Sequence, residues 1–300
     1  MTAKIKLLTG EPLINPWGAV SAALGVGVVQ APTATEIAIL SEAGFNIVFH
    51  GTFNVAGGDV LGGTMTSYEV YTGSTLVIQG SGYTASGSAL FDALQTSDFD
   101  AFYGVLFGEP LNVVGSKLND DIETGEFNDV LLGKAGNDRM DGGLGNDLVK
   151  GNSGDDQVRG WLGDDILKGN NGNDVLEGDD GNDLLFGGDG KDLFAFSIDP
   201  MQLPVGVDTI KDFKHGKDLI GITIFGPENP PLGYLEDKYF HKGTAATTAD
   251  QLVIYDKKSG NIMIDLDGTG AEAQFVLASV KAGTKLHADD FYVQGVFFAV

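Results

Sequence analysis

The sequence predicts an all-β chain whose middle is a parallel β-roll, joined to a C-terminal β cap and a separate β-rich N-terminal domain. Three observations predict it: a nine-residue period running from Gly115 to Ala195, an aspartate at the same place in every period, and a large apolar residue two places later. Read from its first residue, the unit is Gly, two variable places, Gly, Asn or Asp, Asp, a variable place, a large apolar residue and a variable place. The sixth place holds Asp120, Asp129, Asp138, Asp147, Asp156, Asp165, Asp174, Asp183 and Asp192. The eighth holds Ile122, Leu131, Met140, Val149, Val158, Leu167, Leu176, Leu185 and Phe194. Asp and Gly are ordinary turn formers, but turn formation alone does not require the same aspartate every ninth residue.

Each unit reads as a six-residue turn followed by a strand of about three residues, so two units make one flattened coil and each unit stacks on the next but one. Glycine dominates the first and fourth places because the turn needs backbone angles that a Cβ obstructs, and because carbonyls must come close to an ion. The apolar eighth residues point inward from both walls and form a thin core. Aspartates on one edge then lie about 4.8 Å apart, the spacing of neighbouring strands. Carboxylates that close repel strongly in a partly dry turn, so a cation must lie between them. Oxygen ligands in a flexible turn suit calcium better than magnesium, which demands a stricter octahedron, or a transition metal, which calls for His or Cys.

This nonapeptide resembles the repeat of the RTX (repeats-in-toxin) proteins, and the resemblance implies calcium ions held between turns eighteen residues apart. Besides the aspartates, the implied ligands are backbone carbonyls at four places of the unit. The first place contributes Gly133, Gly142, Gly151, Gly160, Gly169, Gly178 and Gly187. The second contributes Gly125, Gly143, Asn152, Trp161, Asn170 and Asp179; the third Ala135, Leu144, Ser153, Leu162, Asn171, Asp180 and Asp189. The fourth contributes Gly136, Gly145, Gly154, Gly163, Gly172 and Gly181. In this arrangement Asn152, Gly154 and Asp156 face Gly169, Asn171 and Asp174 across one ion, and Gly143, Gly145 and Asp147 face Gly160, Leu162 and Asp165 across another. Nine units allow at most seven ions, and the two oxygens of an interior aspartate are expected to serve two of them. Leu118 and Phe127 replace the fourth glycine in the first two units and Lys191 replaces Asn or Asp in the ninth, which weakens both ends.

Beyond the repeat, the segments DTIKDF (Asp208 to Phe213), KDLIGI, LVIYDKKSGNIMIDLDGTG, QFVLASV and ADDFYV resemble the C-terminal region of serralysin-type RTX proteins. That resemblance implies a cap over the open end of the roll and an uncleaved type I secretion signal. Asp208 and Asp212 then either complete the last calcium site or are acidic turn residues beside a strand. Asp265, Asp267 and Gly268 look like half a calcium loop without its downstream acid, and read as a hairpin turn.

Composition narrows the partners. The net charge is -24, and residues 115 to 195 hold 19 Asp and Glu against 7 Lys and Arg, so no basic patch is available for nucleic acid or an anionic membrane. There is no cysteine, which excludes disulfides, thiolate zinc sites and a cysteine nucleophile. No apolar run reaches the about 18 residues of a membrane span. The glycine-rich run Ala19 to Ala31 reads as a buried strand or helix rather than the core of a signal peptide.

Three domains are expected: residues 1–113, a β-rich domain; 114–196, the calcium-binding roll; 197–300, the cap with its secretion signal. In the first, Phe45 to Val55, Val60 to Tyr71 and Thr75 to Tyr83 read as strands separated by turn signals, and Ser88 to Ser97 as a short helix before the aromatic-rich DFDAFYGVLFG. The stretch FHGTFNV to GGDVLGGTMTSYEVYTGSTLV is similar to an N-terminal module of some secreted RTX proteins of alphaproteobacteria.

No enzyme is expected. A zinc protease needs HExxH, but the histidines are His50, His215, His241 and His287; a lipase needs GxSxG, which is absent. His50 in an alternating strand reads as structural, Asp199-Pro200 lacks a catalytic surround for self-cleavage, and Trp161 alone is a weak sugar platform. The expected protein is therefore secreted, extracellular and calcium-binding, from a Gram-negative bacterium, with type I secretion machinery as its export partner. Two alternatives remain: an adhesin or matrix protein binding extracellular polysaccharide or a host surface, and a hydrolase or lyase with a divergent site in residues 1–113.

Overall fold

The computed structural model describes residues 3–7, 27–29, 36–41, 45–56, 59–72, 75–86, 110–199, 206–225, 231–270 and 273–296. The expected helix at Ser88 to Ser97, the aromatic-rich stretch after it, Pro200 and most of Ala19 to Ala31 lie outside them. The chain divides into two compact units, residues 1–140 and 141–300.

In the first unit, Glu36–Ser41, Phe45–Ala56, Asp59–Thr72 and Thr75–Ser86 form an antiparallel meander, with Gly27–Val29 on one side and Ala3–Leu7 on the other. The last three strands of the meander run one to three residues beyond those read from the sequence. Ile47, Phe49 and Phe53 alternate to the buried face, where Phe49 meets Tyr68 at 6.2 Å between ring centroids. His50 is half-buried on the other face. Ala3–Leu7 also pairs in parallel with Leu111–Val114, which pairs in parallel with Val130–Ala135 of the repeat. The N-terminal sheet therefore continues by hydrogen bonds into the first repeats, and this is why the division between units falls inside the repeat and not ahead of it.

In the second unit the repeat forms two parallel walls. Leu148–Ser153, Ile166–Asn171, Leu184–Asp189 and Asp208–Ile210 pair in that order on one, and Gln157–Leu162, Val175–Asp180, Leu193–Ile198, Leu219–Phe225 and Phe291–Val296 on the other. The register within the repeat steps by one coil, with Val149 opposite Leu167 and Val158 opposite Leu176. All nine apolar eighth residues are buried. The fold is a parallel β-roll, as the sequence predicts.

The strands are six residues long, twice the expected length, because the second and third places of the following unit stay on the ladder: Asn152 pairs with Asn170 and Ser153 with Asn171. The glycines also divide their work differently. The fourth place has the backbone angles that exclude a Cβ, as at Gly172 with φ 135°, and its N–H donates to the Asp189 carbonyl at 2.9 Å. The first place has no such angle. The second does, and often without glycine: Lys134, Asn152, Trp161, Asn170 and Asp179 all have φ between 67 and 82°. A left-handed residue with a Cβ costs roughly 1–2 kcal/mol, least for Asn and Asp.

The cap continues both walls. Asp208–Ile210 is followed by Phe275–Val280 in parallel, then by the hairpin strands Asn261–Ile264 and Val253–Asp256, then by Phe240–Lys242. Asp265, Asp267 and Gly268 lie in the connection between the antiparallel strands Asn261–Ile264 and Phe275–Val280, in agreement with the hairpin reading. Val253, Ile254, Tyr255, Ile262, Ile264 and Ala278 give this region its own core.

Two glycine substitutions test the division of roles. At Gly172 an alanine meets both a forbidden φ and the Gly154 carbonyl, whereas the space beside Gly125 is open. Gly172→Ala should therefore lower stability by at least about 2 kcal/mol and Gly125→Ala by less than about 0.5 kcal/mol, measured by denaturant unfolding in saturating calcium.

Candidate metal centre

The sixth-place aspartates form two files, one on each edge of the roll. In each, a backbone N–H donates to Oδ1 of the aspartate one coil further on. One file runs from Asp147 to Asp165 at 2.7 Å, to Asp183 at 2.7 Å and to Asp208 at 3.1 Å. The other runs from Asp156 to Asp174 at 2.9 Å, to Asp192 at 3.2 Å and to Asp218 at 3.3 Å. A second ladder runs the opposite way through the fifth places, where the Asp164 amide donates to Asn146, Asn173 to Asp155 and Asn182 to Asp164. The preference for Asn or Asp at the fifth place thus has a structural cause, which sequence reasoning had not identified.

Oδ1 of Asp165, Asp174, Asp183 and Asp192 thereby accepts one amide of the stacked turn. The other oxygen is the reactive one. Oδ2 of Asp165, Asp174, Asp183 and Asp192 is buried and accepts no hydrogen bond. It lies over the first-place glycine of its own unit, where a Cβ at Gly160, Gly169, Gly178 or Gly187 would overlap it. The first glycine is therefore required by the carboxylate, not by its backbone angle. Of the expected carbonyl ligands, the third-place oxygens of Leu162, Asn171, Asp180 and Asp189 each accept an amide of the stacked turn, from Gly145, Gly154, Gly163 and Gly172, at 2.9–3.0 Å.

The first two units lack this open oxygen. Both oxygens of Asp120 are held by Ser116, from its amide at 2.6 Å and its hydroxyl at 3.0 Å. Asp129 accepts from the Leu111 amide at 2.7 Å and also from Thr124 and Gly125. These two carboxylates are satisfied by their own surroundings, in the units where Leu118 and Phe127 break the pattern. Among the other predicted ligands, Asp208 takes its place in a file. Asp212 does not: its oxygens accept the Gly187 and Gly188 amides at 2.9 and 3.0 Å, which makes it a strand-edge clasp. Trp161 is 42% exposed, its indole N–H held by Asp141 at 2.8 Å and its ring under the Arg159 guanidinium. Arg159 also bonds Asp179.

Sequence reasoning passed over Asp218, although the signal was there. Gly216-Lys217-Asp218-Leu219-Ile220 repeats the cadence Gly190-Lys191-Asp192-Leu193-Phe194, and Gly206-Val207-Asp208-Thr209-Ile210 has it too. It also missed that two of the four histidines meet. His215 stacks on His287 at 4.4 Å, and its Nδ1 lies 2.7 Å from Oδ1 of buried Asp290. His215, Asp289 and Asp290 are close enough to share a cation, but the Gly216 and His287 amides also donate to Asp290, so this cluster is complete as a clasp on the loop that carries Asp218.

Burial governs the electrostatics of the files. Desolvation pushes Asp165 up to about 7, with the Asp183 charge adding to it, and pushes Asp138 and Asp174 up to about 6. Asp208 is pushed up to about 9, first by burial and then by the charge of Asp183. Such groups call for a proton or a cation at their open oxygen. The donors at hand are carboxylate and carbonyl oxygens, with no His or Cys in the turns, so the set fits a hard divalent cation of calcium type.

The model of the family described as "Peptidase M10 serralysin C terminal" matches residues 113–293, more than half of the chain. The chain belongs to this serralysin C-terminal family. It is thus a secreted RTX-family protein, and the match takes in the whole repeat and nearly all of the cap. Among solved structures, the extracellular lipase LipA from Serratia marcescens is similar over 61% of this chain and 40% of its own, at 16% identity and a TM-score of 0.21. The chain thus matches less than half the length of that lipase. No curated protein matches.

The raised carboxylates fix the pH dependence of the cation-free protein. An unfolded aspartate titrates near 3.9. Asp138, Asp165 and Asp174 hold their protons to about 6–7 when folded, so the native state binds more protons in that interval. The stability these three groups contribute is then fully present at low pH and is lost as pH rises through about 6–7. In chelator, circular dichroism should show more β structure at pH 5 than at pH 8. Calcium should flatten the difference.

Proposed function

We propose that this protein is a non-enzymatic calcium-binding protein whose roll folds on meeting extracellular calcium after export by type I secretion machinery. The observation that supports the reading most is the row of buried Oδ2 atoms at Asp165, Asp174, Asp183 and Asp192, which have no donor. An ionised oxygen in that state costs several kcal/mol unless a cation neutralises it. Extracellular calcium modules bind at about 10⁻⁴ to 10⁻³ M, which leaves such a roll empty in a cytosol and filled outside. Folding is then coupled to the passage between the two. The absence of HExxH and GxSxG supports the non-enzymatic part. Serralysin C-terminal membership supports the export part.

Asp165→Asn is the sharpest test, because it removes the charge and keeps the Oδ1 acceptor for the Asp147 amide. In chelator at pH 8 the variant should be more folded than the wild type, since a buried charge is gone. In saturating calcium it should be less stable and bind less calcium. A loss of stability under both conditions would mean that Asp165 is a structural hydrogen-bonding group only. Full β signal of the wild type in excess EGTA at pH 8 would sink the folding switch.

Export has its own test. Deletion of residues 251–300 should leave expression intact and keep the protein inside a cell equipped with a type I exporter, as read by immunoblotting of cells and medium. Secretion of the truncated chain at the normal level would count against the C-terminal signal.

A further inference from the structure

The file that contains Asp156, Asp174 and Asp192 ends unlike its interior. At its last rung the Asp192 amide donates to Asp218 Oδ1, and the Lys214 amide donates to Asp218 Oδ2 at 2.8 Å. Both oxygens of Asp218 are thus engaged, while Asp192, like Asp165 and Asp174, keeps an open one. The Lys214 ammonium reaches over the same rung. It donates to the Gly188 carbonyl and lies 3.9 Å from Asp189 Oδ1. Gly188 occupies the second place of its unit, a place whose carbonyl is a calcium ligand only as the resemblance to RTX proteins implies.

The charge of Lys214 also acts on both acids of the rung. It draws Asp192 and Asp218 down against the larger effect of their burial. Among the charges acting on Asp218 that of Lys214 is the largest, whereas on Asp165 and Asp174, and on Asp192 itself, the largest is another carboxylate. An ammonium and a divalent cation compete for the same carbonyl and the same negative potential. Placing both at one rung would set two like charges side by side in a partly dry turn.

We propose that the Lys214 ammonium is the built-in cation of the terminal rung, and that the site between Asp192 and Asp218 takes no calcium. The proposal rests on the calcium reading of the interior rungs. The lysine neutralises the end of this file at any calcium concentration, so this edge of the junction of roll and cap does not wait for an ion. Calcium dependence begins one rung further in.

The test is a count of ions. The full-length wild type, Lys214→Gln, Lys214→Met and Lys214→Arg are each brought to equilibrium with buffered calcium at pH 7.5. Bound metal per chain is then read by equilibrium dialysis and elemental analysis. The Gln and Met variants keep most of the stem and lose the charge, so each should bind one calcium more than the wild type; Arg should leave the count unchanged. An unchanged count in both neutral variants, or a gain in the Arg variant, overturns the proposal while leaving the calcium reading intact. A wild type that binds no calcium overturns both.

Discussion

A carboxylate oxygen removed from water needs a donor, a proton or a cation, and the turns of this roll are built so that Oδ2 of the interior aspartates has no donor. The rest of the repeat follows from that constraint. Glycine stands at the first place because the oxygen lies where its Cβ would be. The aspartate cannot swing away, because its Oδ1 is fixed by the amide one coil back, as at Asp183 and Asp165. The fifth-place Asn or Asp ladder holds the stacked turns together from the outside. Each open oxygen is held in place by bonds that do not themselves neutralise it.

This arrangement sets the cost of the apo state against its order. The walls have a continuous hydrogen-bond ladder and a buried apolar row, and neither needs an ion. Against them stand like charges a few ångströms apart, which the protein can relieve only by binding protons or a cation. The strain at the second place adds to the cost. Trp161, held at φ 80°, offsets part of it through its bond to Asp141 and its contact with Arg159, whereas Asn152 and Asn170 tolerate the left-handed region more readily. The thinness of the core matters here, since one apolar residue per unit from each wall leaves little surplus to absorb several buried charges.

The repeat made the roll legible because period, inward apolar residue and turn glycine all point to one geometry. The files in which Asp165 and Asp174 stand were legible for the same reason. What the sequence concealed depended on direction and distance. No periodicity tells that Oδ1 faces an amide and Oδ2 a glycine, or that Ser116 and Thr124 satisfy Asp120 and Asp129 from within. Asp218 was concealed by spacing: the cadence returns after an insertion, so the partner of Asp192 lies 26 residues on, where the repeat had kept 18. The meeting of His215 with His287 and Asp290 is a product of the cap's folding, joining segments about seventy residues apart that share no motif.

The end of the roll brings two problems to one place. A parallel ladder leaves an edge of unpaired backbone groups, and a carboxylate file leaves an end with one neighbour in place of two. Here the same segments answer both. Asp208 opens the strand that pairs with Leu184–Asp189 and also closes the file of Asp183; Asp218 immediately precedes the strand that pairs with Leu193–Ile198 and closes the file of Asp192. Because Asp208 and Asp218 sit at the starts of those strands, the edge cannot be covered without the file being closed. The two closures differ in kind. Asp208 adds a deeply buried acid beside Asp183, which increases the demand for a proton or a cation, whereas the loop before Asp218 brings Lys214 with it. The two edges of one roll therefore end with opposite electrostatic character, and at the edge ending at Asp208 the demand for a proton or a cation persists to the last rung.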